Sequence, residues 1–451
     1  MHMKTIVKSL DHQSDPYQIR LPQSVYTRVK RDEPLQFTFG QHSVFVRVHA
    51  GKDVLEISEH IASELFIPFE ERPFLLQYNL EKKEIKLGPV IALLASKSNQ
   101  LSPYEPFGAM TSFFKELARY CIQKGIFFYV IPLQSKHHES HILGYRWTMK
   151  QWVKGAMPLP DVIYNRISSR KLEKSDEANM LFTRFRNQRI PIFNERFLNK
   201  WEIFNALQHE PVLIPHLPKT VLYQKASDLD AMLQKYTVIF AKPITGSLGR
   251  GIVKITHENG KYTLHFSNQS SEHHVQFNLL HLLRNVIPIL KRQPYILQQG
   301  IKSLTYNGQP TDFRILCNKD RTGVWKVTSI VGRRSANERF VSNVAMGGSL
   351  HRPKQILSSS FNQHESHAIL NLLVELSLHC VKTIEQQLDG TFGEFGIDLM
   401  IDEFGKPWIL EMNTKPSKTE ESNIVESGHK IKRSTKALIQ FAASLAGFEI
   451  H

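Results

Sequence analysis

Cysteine is scarce in this sequence: Cys121, Cys317 and Cys380 are the only three in 451 residues, and no C-x-x-C occurs. That excludes a disulfide scaffold and reads as free, buried thiols in a reducing cytoplasm. Long apolar runs are also missing. A stretch such as Val90 to Ala95 stops far short of the roughly 18 residues a membrane span needs. Met1 to Asp15 carries charges but no apolar centre, so no secretory signal is read there. There is no internal repeat and no low-complexity segment. G-x-G-x-x-G, G-x-S-x-G and H-E-x-x-H are all absent, which removes the dinucleotide fingerprint, the α/β-hydrolase elbow and the zincin helix. Acidic residues are the minority, 42 against 57 Lys and Arg, leaving a charge of +15 that favours anionic partners. The excess is spread out. Its densest stretch, Arg166 to Lys200, suits an acidic substrate or a solvated surface equally.

What is present is ordinary globular material, 41% hydrophobic and 22% charged, enough for two to four domains. Phe37–Phe39, Val44–Val48 and Val54–Ile57 read as short strands between turn residues, giving a small β-rich module over residues 1–80. Residues 81–190 read as a βαβ domain. Its strands are Pro89 to Leu94, Ile126 to Ile131 and Pro160 to Asn165. Between the first two, Phe107 to Lys124 has helical spacing, with Phe113, Phe114, Leu117, Ala118 and Cys121 on one side and Gly125 as the stop. Residues 191–451 alternate helices with strand pairs joined by tight turns.

Four features in that last segment carry chemistry. Val238 to Pro243 runs into Gly246, Ser247, Gly249 and Gly251, then into a β-branched strand. The glycines let backbone N–H groups approach an anion, with Lys242 as its cation. Taken alone, the loop reads equally as a glycine-rich turn with a surface lysine. The second feature is the hairpin Gly393 to Asn413. Centred between Phe404 and Gly405, it sets Asp398 opposite Glu411 and puts Asn413 on the same face. Two carboxylates sharing apolar surroundings repel and lose hydration, so a cation belongs between them, and hard oxygen ligands favour Mg²⁺. Third, Arg314 after Asp312, and Arg333 on the following strand, offer rigid donor forks for phosphate. Fourth, Ser342-Asn343 precedes Gly347-Gly348. His137, His138 and His141, and likewise His273 and His274, sit in polar loops and read as surface histidines. Phe182 to Arg189 interleaves aromatic and basic residues as nucleic acid binding requires, and equally fits a helix with a basic face.

This order of lysine strand, glycine flap, D-x-R strand, Ser-Asn-Gly-Gly and D…E-x-N resembles the ATP-grasp superfamily over residues 195–450. Pro160 to Arg166, Phe193-Asn194 to Asn199-Lys200-Trp201, and Lys242 to Gly251 are similar to its YheC/YheD endospore coat-associated branch. The resemblance implies an α/β and α+β multidomain chain. Two α/β subdomains with antiparallel sheets, 191–300 and 301–451, follow a pre-grasp βαβ domain and the small β module. It implies ATP, with Lys200 and Lys242 on the nucleotide, the flap over its phosphates, and Gln298 and Gln299 in the hinge. Gln299 stands where relatives often have Glu. Asp312 falls at the ribose end and Ser342 and Asn343 near the triphosphate. Asp398, Glu411 and Asn413 match the ligands of one or two Mg²⁺ ions, or Mn²⁺. Relatives join a carboxylate to an amine through an acyl phosphate, with Arg314 and Arg333 neutralising charge. Here that implies a ligase acting on a peptide, protein or small acceptor of a sporulating cell. A coat-associated structural protein that binds nucleotide, a phosphotransferase and a nucleic-acid-associated protein are the competing readings.

Overall fold

The computed structural model describes residues 2–10, 15–29, 34–79, 81–96, 104–135, 138–246, 249–267, 276–336, 347–418 and 431–450. Ser247, Ser342 and Asn343 lie outside these, as do His137, His273 and His274.

The N-terminal strands close into a seven-stranded barrel. Alternation does the work here: Phe37, Phe39, Leu55, Ile57, Ile85 and Leu87 point inward and are fully shielded from water. The barrel takes in Glu84–Gly88, which pairs antiparallel with Pro73–Asn79, so this module runs to residue 88 and not to 80. The charged stretch Glu81 to Lys83 has the composition of a linker but serves as the turn of a hairpin.

The next sheet has Val90–Ala95 at its centre, parallel to both Phe127–Pro132 and Val162–Asn165. Helix Thr111–Lys124 makes the crossover, burying the predicted face and ending at Gly125 with φ +80°. In helix Asp176–Asn187, Phe182 and Phe185 are core residues. The aromatics that a nucleic-acid reading needs on the surface are therefore spent on packing.

Two antiparallel sheets follow. One orders Thr220–Leu222, Tyr295–Gln299, Val238–Pro243, Val253–Glu258, Lys261–Phe266 and Gln276–Phe277. Helices Ala226–Lys235 and Leu279–Leu290 cover one face of it. The other orders Ser349–His351, Trp325–Arg334, Gln309–Lys319, Glu394–Ile401 and Pro407–Asn413. It packs on helix Gln363–Gln387, capped by Asn362 and Glu365. That helix alone among the described residues is long and apolar enough to cross a membrane. Its Leu373, Leu376, Cys380, Val381 and Ile384 are core residues.

Two elements depart from the expected partition. Helix Lys200–Leu207 belongs by sequence to the first subdomain, yet Ile203, Ala206 and Leu207 pack in the core of the second. Helix Arg433–Leu445 returns to the βαβ domain, where Leu438, Phe441 and Ala442 join Phe114, Leu117 and Cys121. An apolar stripe shows that a helix is covered and not which surface covers it.

Candidate active site

Next to its turn, the hairpin of Glu394–Ile401 and Pro407–Asn413 pairs Ile401 with Pro407 and Leu399 with Ile409; past a bulge at Leu410 it pairs Asp398 with Glu411 and Gly396 with Asn413. The turn is centred on Phe404, closed by a 3.0 Å bond from Asp402 N to Lys406 O, and the bulge supplies the residue that restores the expected pairing. Strict alternation from buried Ile409 would send Glu411 into the core. The bulge turns Glu411 and Asn413 outward and lets Met412 take the buried position.

The face opposite the core is an ion-pair lattice. Arg314 sits across from Asp398 in the sheet and forks both carboxylate oxygens, the Nη2 to Oδ2 bond measuring 3.0 Å. Arg333 grips Asp312 through bonds of 2.6 and 2.9 Å and also reaches Asp398 Oδ2 at 3.2 Å. Burial alone would raise the Asp398 carboxyl. The two guanidinium groups outweigh it and hold the group well below the usual carboxylate range. The cations beside Asp398 are thus the protein's own. Asp312 has its two oxygens on Arg333, so in this structure it orients that guanidinium. Gly396 makes room for the lattice: a Cβ there would stand 2.6 Å from Pro416 Cβ and 3.4 Å from Arg314 Cδ.

The two sheets face each other across a narrow cavity of about 30 Å³. Ile296 and Gln298 form one wall, Leu410, Glu411 and Met412 the other, and Ile203 and Phe204 close the end beside Lys200. Lys200 Nζ donates to Gly246 O at 2.7 Å and to Glu411 Oε1 at 3.3 Å, tying the flap to the hairpin. Lys242 Nζ donates to Gln298 Oε1 at 2.5 Å. Burial pushes the Lys242 ammonium down to about 8 and Lys200 adds to this, while Glu411 and Asp398 oppose it. Gln298 also donates to Thr220 Oγ1 at 3.1 Å. Gln299 faces away and accepts from Lys219 N at 3.2 Å, so of the two hinge amides only Gln298 lines the cavity. In the flap, Gly249 and Gly251 have φ of +72° and +73°, a region open to glycine. Strands 238–243 and 253–258, which the flap joins, pair antiparallel as expected.

Asp398, Glu411 and Asn413 therefore share one face and offer only hard oxygen donors. Among the described residues the Asn413 amide has no hydrogen-bond partner, and no cluster of three His, Cys, Asp or Glu could hold a metal. Two carboxylates and an amide suit a cation that keeps few protein ligands and completes its shell from phosphate oxygens.

Sequence reasoning passed over Glu394, which shares the Asp398 face four residues earlier and is fully buried. It binds Lys418, accepts from Tyr164 Oη at 2.8 Å and Asn318 Nδ2 at 3.3 Å, and faces Arg166 Nη1 at 3.6 Å. Asn194, with φ +52°, donates to Glu394 O and Thr414 O and accepts from Gly393 N, clamping both strands of the hairpin. Its place in the Phe193-Asn194 motif was the available signal.

Residues 189–445 match the family described as "YheC/D like ATP-grasp". The chain is 27% identical over 401 residues to the Endospore coat-associated protein YheD of Bacillus subtilis, covering 87% of this chain and 86% of that protein. It is 25% identical over 289 residues to YheC of the same organism, covering 61% of this chain and 75% of that one. Among solved structures, the VanG D-Ala:D-Ser ligase of Enterococcus faecalis superposes with a TM-score of 0.48 at 12% identity, over 80% of this chain and 99% of that one.

Proposed function

As the chain belongs to the YheC/D-like ATP-grasp family, we propose that it is an ATP-dependent ligase that joins a carboxylate to an amine. ATP is the substrate that activates the acid. A carboxylate oxygen attacks the γ-phosphorus and ADP leaves. The amine then attacks the acyl carbon, loses a proton and expels phosphate. Phosphoryl transfer of this kind asks the protein for position and positive charge more than for a nucleophile.

The observation that carries the reading is the meeting of Lys200, Lys242, Arg314 and Arg333 with Asp398, Glu411 and Asn413 beside one cavity between two antiparallel sheets. Lys242, held by Gln298, suits the phosphates, and Lys200 fastens the flap over them. Arg314 and Arg333 supply fixed donors for the transferring group. Asp398, Glu411 and Asn413 would hold Mg²⁺ or Mn²⁺, which when bound neutralises phosphate charge and aligns the oxygens in transfer. The apolar wall of Ile203, Phe204, Ile296 and Leu410 suits a base and excludes water from the transfer.

The test is ADP release from Mg-ATP with pooled amino acids and acidic peptides, hydroxylamine being present as a trap. ADP and a hydroxamate, both lost in Glu411→Gln at an unchanged melting temperature, are expected. ADP without hydroxamate would replace the ligase with a phosphotransferase or an ATPase. A second reading, a spore-coat protein that binds nucleotide without turnover, draws on the names of the two Bacillus relatives and on the Arg-bound state of Asp398. An ATP-dependent rise in melting temperature with no ADP from any acceptor would favour it.

A further inference from the structure

We propose that His42 and His141 form a proton-operated latch, which holds the loop between strands Phe127–Pro132 and Ile142–Trp147 on the N-terminal barrel near neutral pH and releases it in acid. The latch lies outside the nucleotide cavity and is independent of the ligase reading.

The barrel turn between Leu35–Phe39 and His42–Ala50 is wedged against the βαβ domain. A Cβ on Gly40 would overlap Leu159 O, and Gln41 N donates to that same oxygen at 3.0 Å. His42 then meets the loop. Its half-buried ring bonds the Ser140 carbonyl, while its Nε2 is buried with no hydrogen-bond partner. Phe66 of the barrel stands between the two histidines, its ring centroid 5.6 Å from that of His42 and 5.3 Å from that of His141. His141 stacks on His138 with centroids 4.4 Å apart. Behind the loop, Arg184 of helix Asp176–Asn187 donates to His138 O at 2.6 Å and to Glu139 O at 2.9 Å.

A proton on His42 Nε2 would place an N–H on a buried atom with no acceptor, and a charge facing His141. The other groups that bear on the two rings are His138, from the loop, and Arg184, from the helix behind it. Both are cations in acid. The barrel adds uncharged Phe66, and Glu139, the acid of the loop, is exposed and acts on Arg184. Burial and His141 accordingly lower the His42 imidazole, against the Ser140 carbonyl. Burial, His138 and Arg184 lower His141. The folded protein therefore binds fewer protons here than the unfolded chain. Stability from the contact is whole above the ordinary 6.5 and is lost as pH falls below it. Arg184 stays charged throughout and keeps His138 and Glu139 anchored, so residues 140–142 are the part that opens.

Hydrogen exchange of the full chain, read by mass spectrometry at pH 7.5 and 5.5 and corrected for the intrinsic rate at each pH, tests this. Protection over residues 140–144 and 41–45 is expected to fall at least fivefold in acid, while helix Thr111–Lys124 keeps its own. His42→Asn retains a donor for the Ser140 carbonyl and does not titrate, so its fall should stay within twofold. His141→Gln removes the facing charge and should also shrink the fall. The melting temperature at pH 7.5 checks the folding of each variant, and half-buried His141 is the site that tolerates change if His42→Asn unfolds. A smaller fall in wild type, an undiminished fall in the folded variants, or an equal loss across helix Thr111–Lys124 would each overturn the latch.

Discussion

Lys200 Nζ and Glu411 Oε1 stand 3.3 Å apart in the fold and 211 positions apart in the chain. They meet because helix Lys200–Leu207 packs on the second sheet's core, beside the hairpin that carries Glu411. The same ammonium holds the flap through Gly246 O. Lys200→Met should therefore weaken Mg-ATP binding by tenfold or more while the melting temperature without nucleotide moves by only a few degrees. A partly exposed ion pair contributes roughly 0–1 kcal/mol, which is why the fold survives. Titration calorimetry beside a thermal melt separates the two effects.

With Lys242 on the phosphates as proposed, nucleotide binding should depend on pH with a definite sign. Its ammonium is lowered from 10.5 to about 8, so the folded protein binds fewer protons than the unfolded chain between those values. The nucleotide-free fold should gain stability from this group as pH rises through that window. Mg-ATP affinity should move the opposite way, falling above pH 8 as the cation is lost. In Lys242→Arg, where the guanidinium stays charged, that fall should vanish. Affinities between pH 7 and 9.5 check it.

Lys418→Met should expose the acid sensitivity of Glu394. Burial would raise that carboxyl, and Lys418 and Arg166 hold it below its ordinary 4.5. The stabilisation it brings is present above 4.5 and lost as pH falls below it. Removing Lys418 leaves a buried carboxylate short of a partner, at a cost approaching the roughly 3–5 kcal/mol seen when buried pairs are broken. The gap between variant and wild type should be wide at pH 7 and narrow toward pH 3. Urea midpoints across that range measure it.

Asn194 offers a separation of backbone from side chain. Asn194→Ala loses three buried hydrogen bonds and meets an unfavourable φ of +52°, whereas Asn194→Gly loses the bonds alone. Both should destabilise, by about 2–4 kcal/mol, with alanine the worse of the two. Equal losses would mean that the clamp, and not the strained backbone, dominates. Because the clamp holds Thr414, one residue from Asn413, ADP formation should fall in both.

The hairpin illustrates what sequence could and could not supply. The identity of Asp398, Glu411 and Asn413, and their place on two apolar strands about a Gly405 turn, follow from composition and period alone. The pairing of Asp398 with Glu411 came out correctly, although the turn is centred on Phe404, because a bulge at Leu410 compensates. Nothing local marks that bulge. It is set by the core, which takes Ile409 and Met412 and has no room for Glu411. The βαβ unit was legible for the same reason as the hairpin: its apolar periods are local, and Gly125 marks the helix end.

Sequence by itself determined the family, the nature and order of the functional groups, and most strand and helix positions, since these depend on neighbours within a few residues. Only the tertiary structure decided which groups meet. The barrel's closure through residue 88, the move of the Lys200 helix to the second core, and the return of Arg433–Leu445 to the βαβ domain all depend on which apolar faces fit together. So does the charge arrangement. A sequence shows two buried carboxylates that need cations; the fold shows that Arg314, Arg333 and Lys200 already stand beside them. Partner choice between distant segments is a matter of shape and charge in three dimensions, and no periodicity along the chain encodes it.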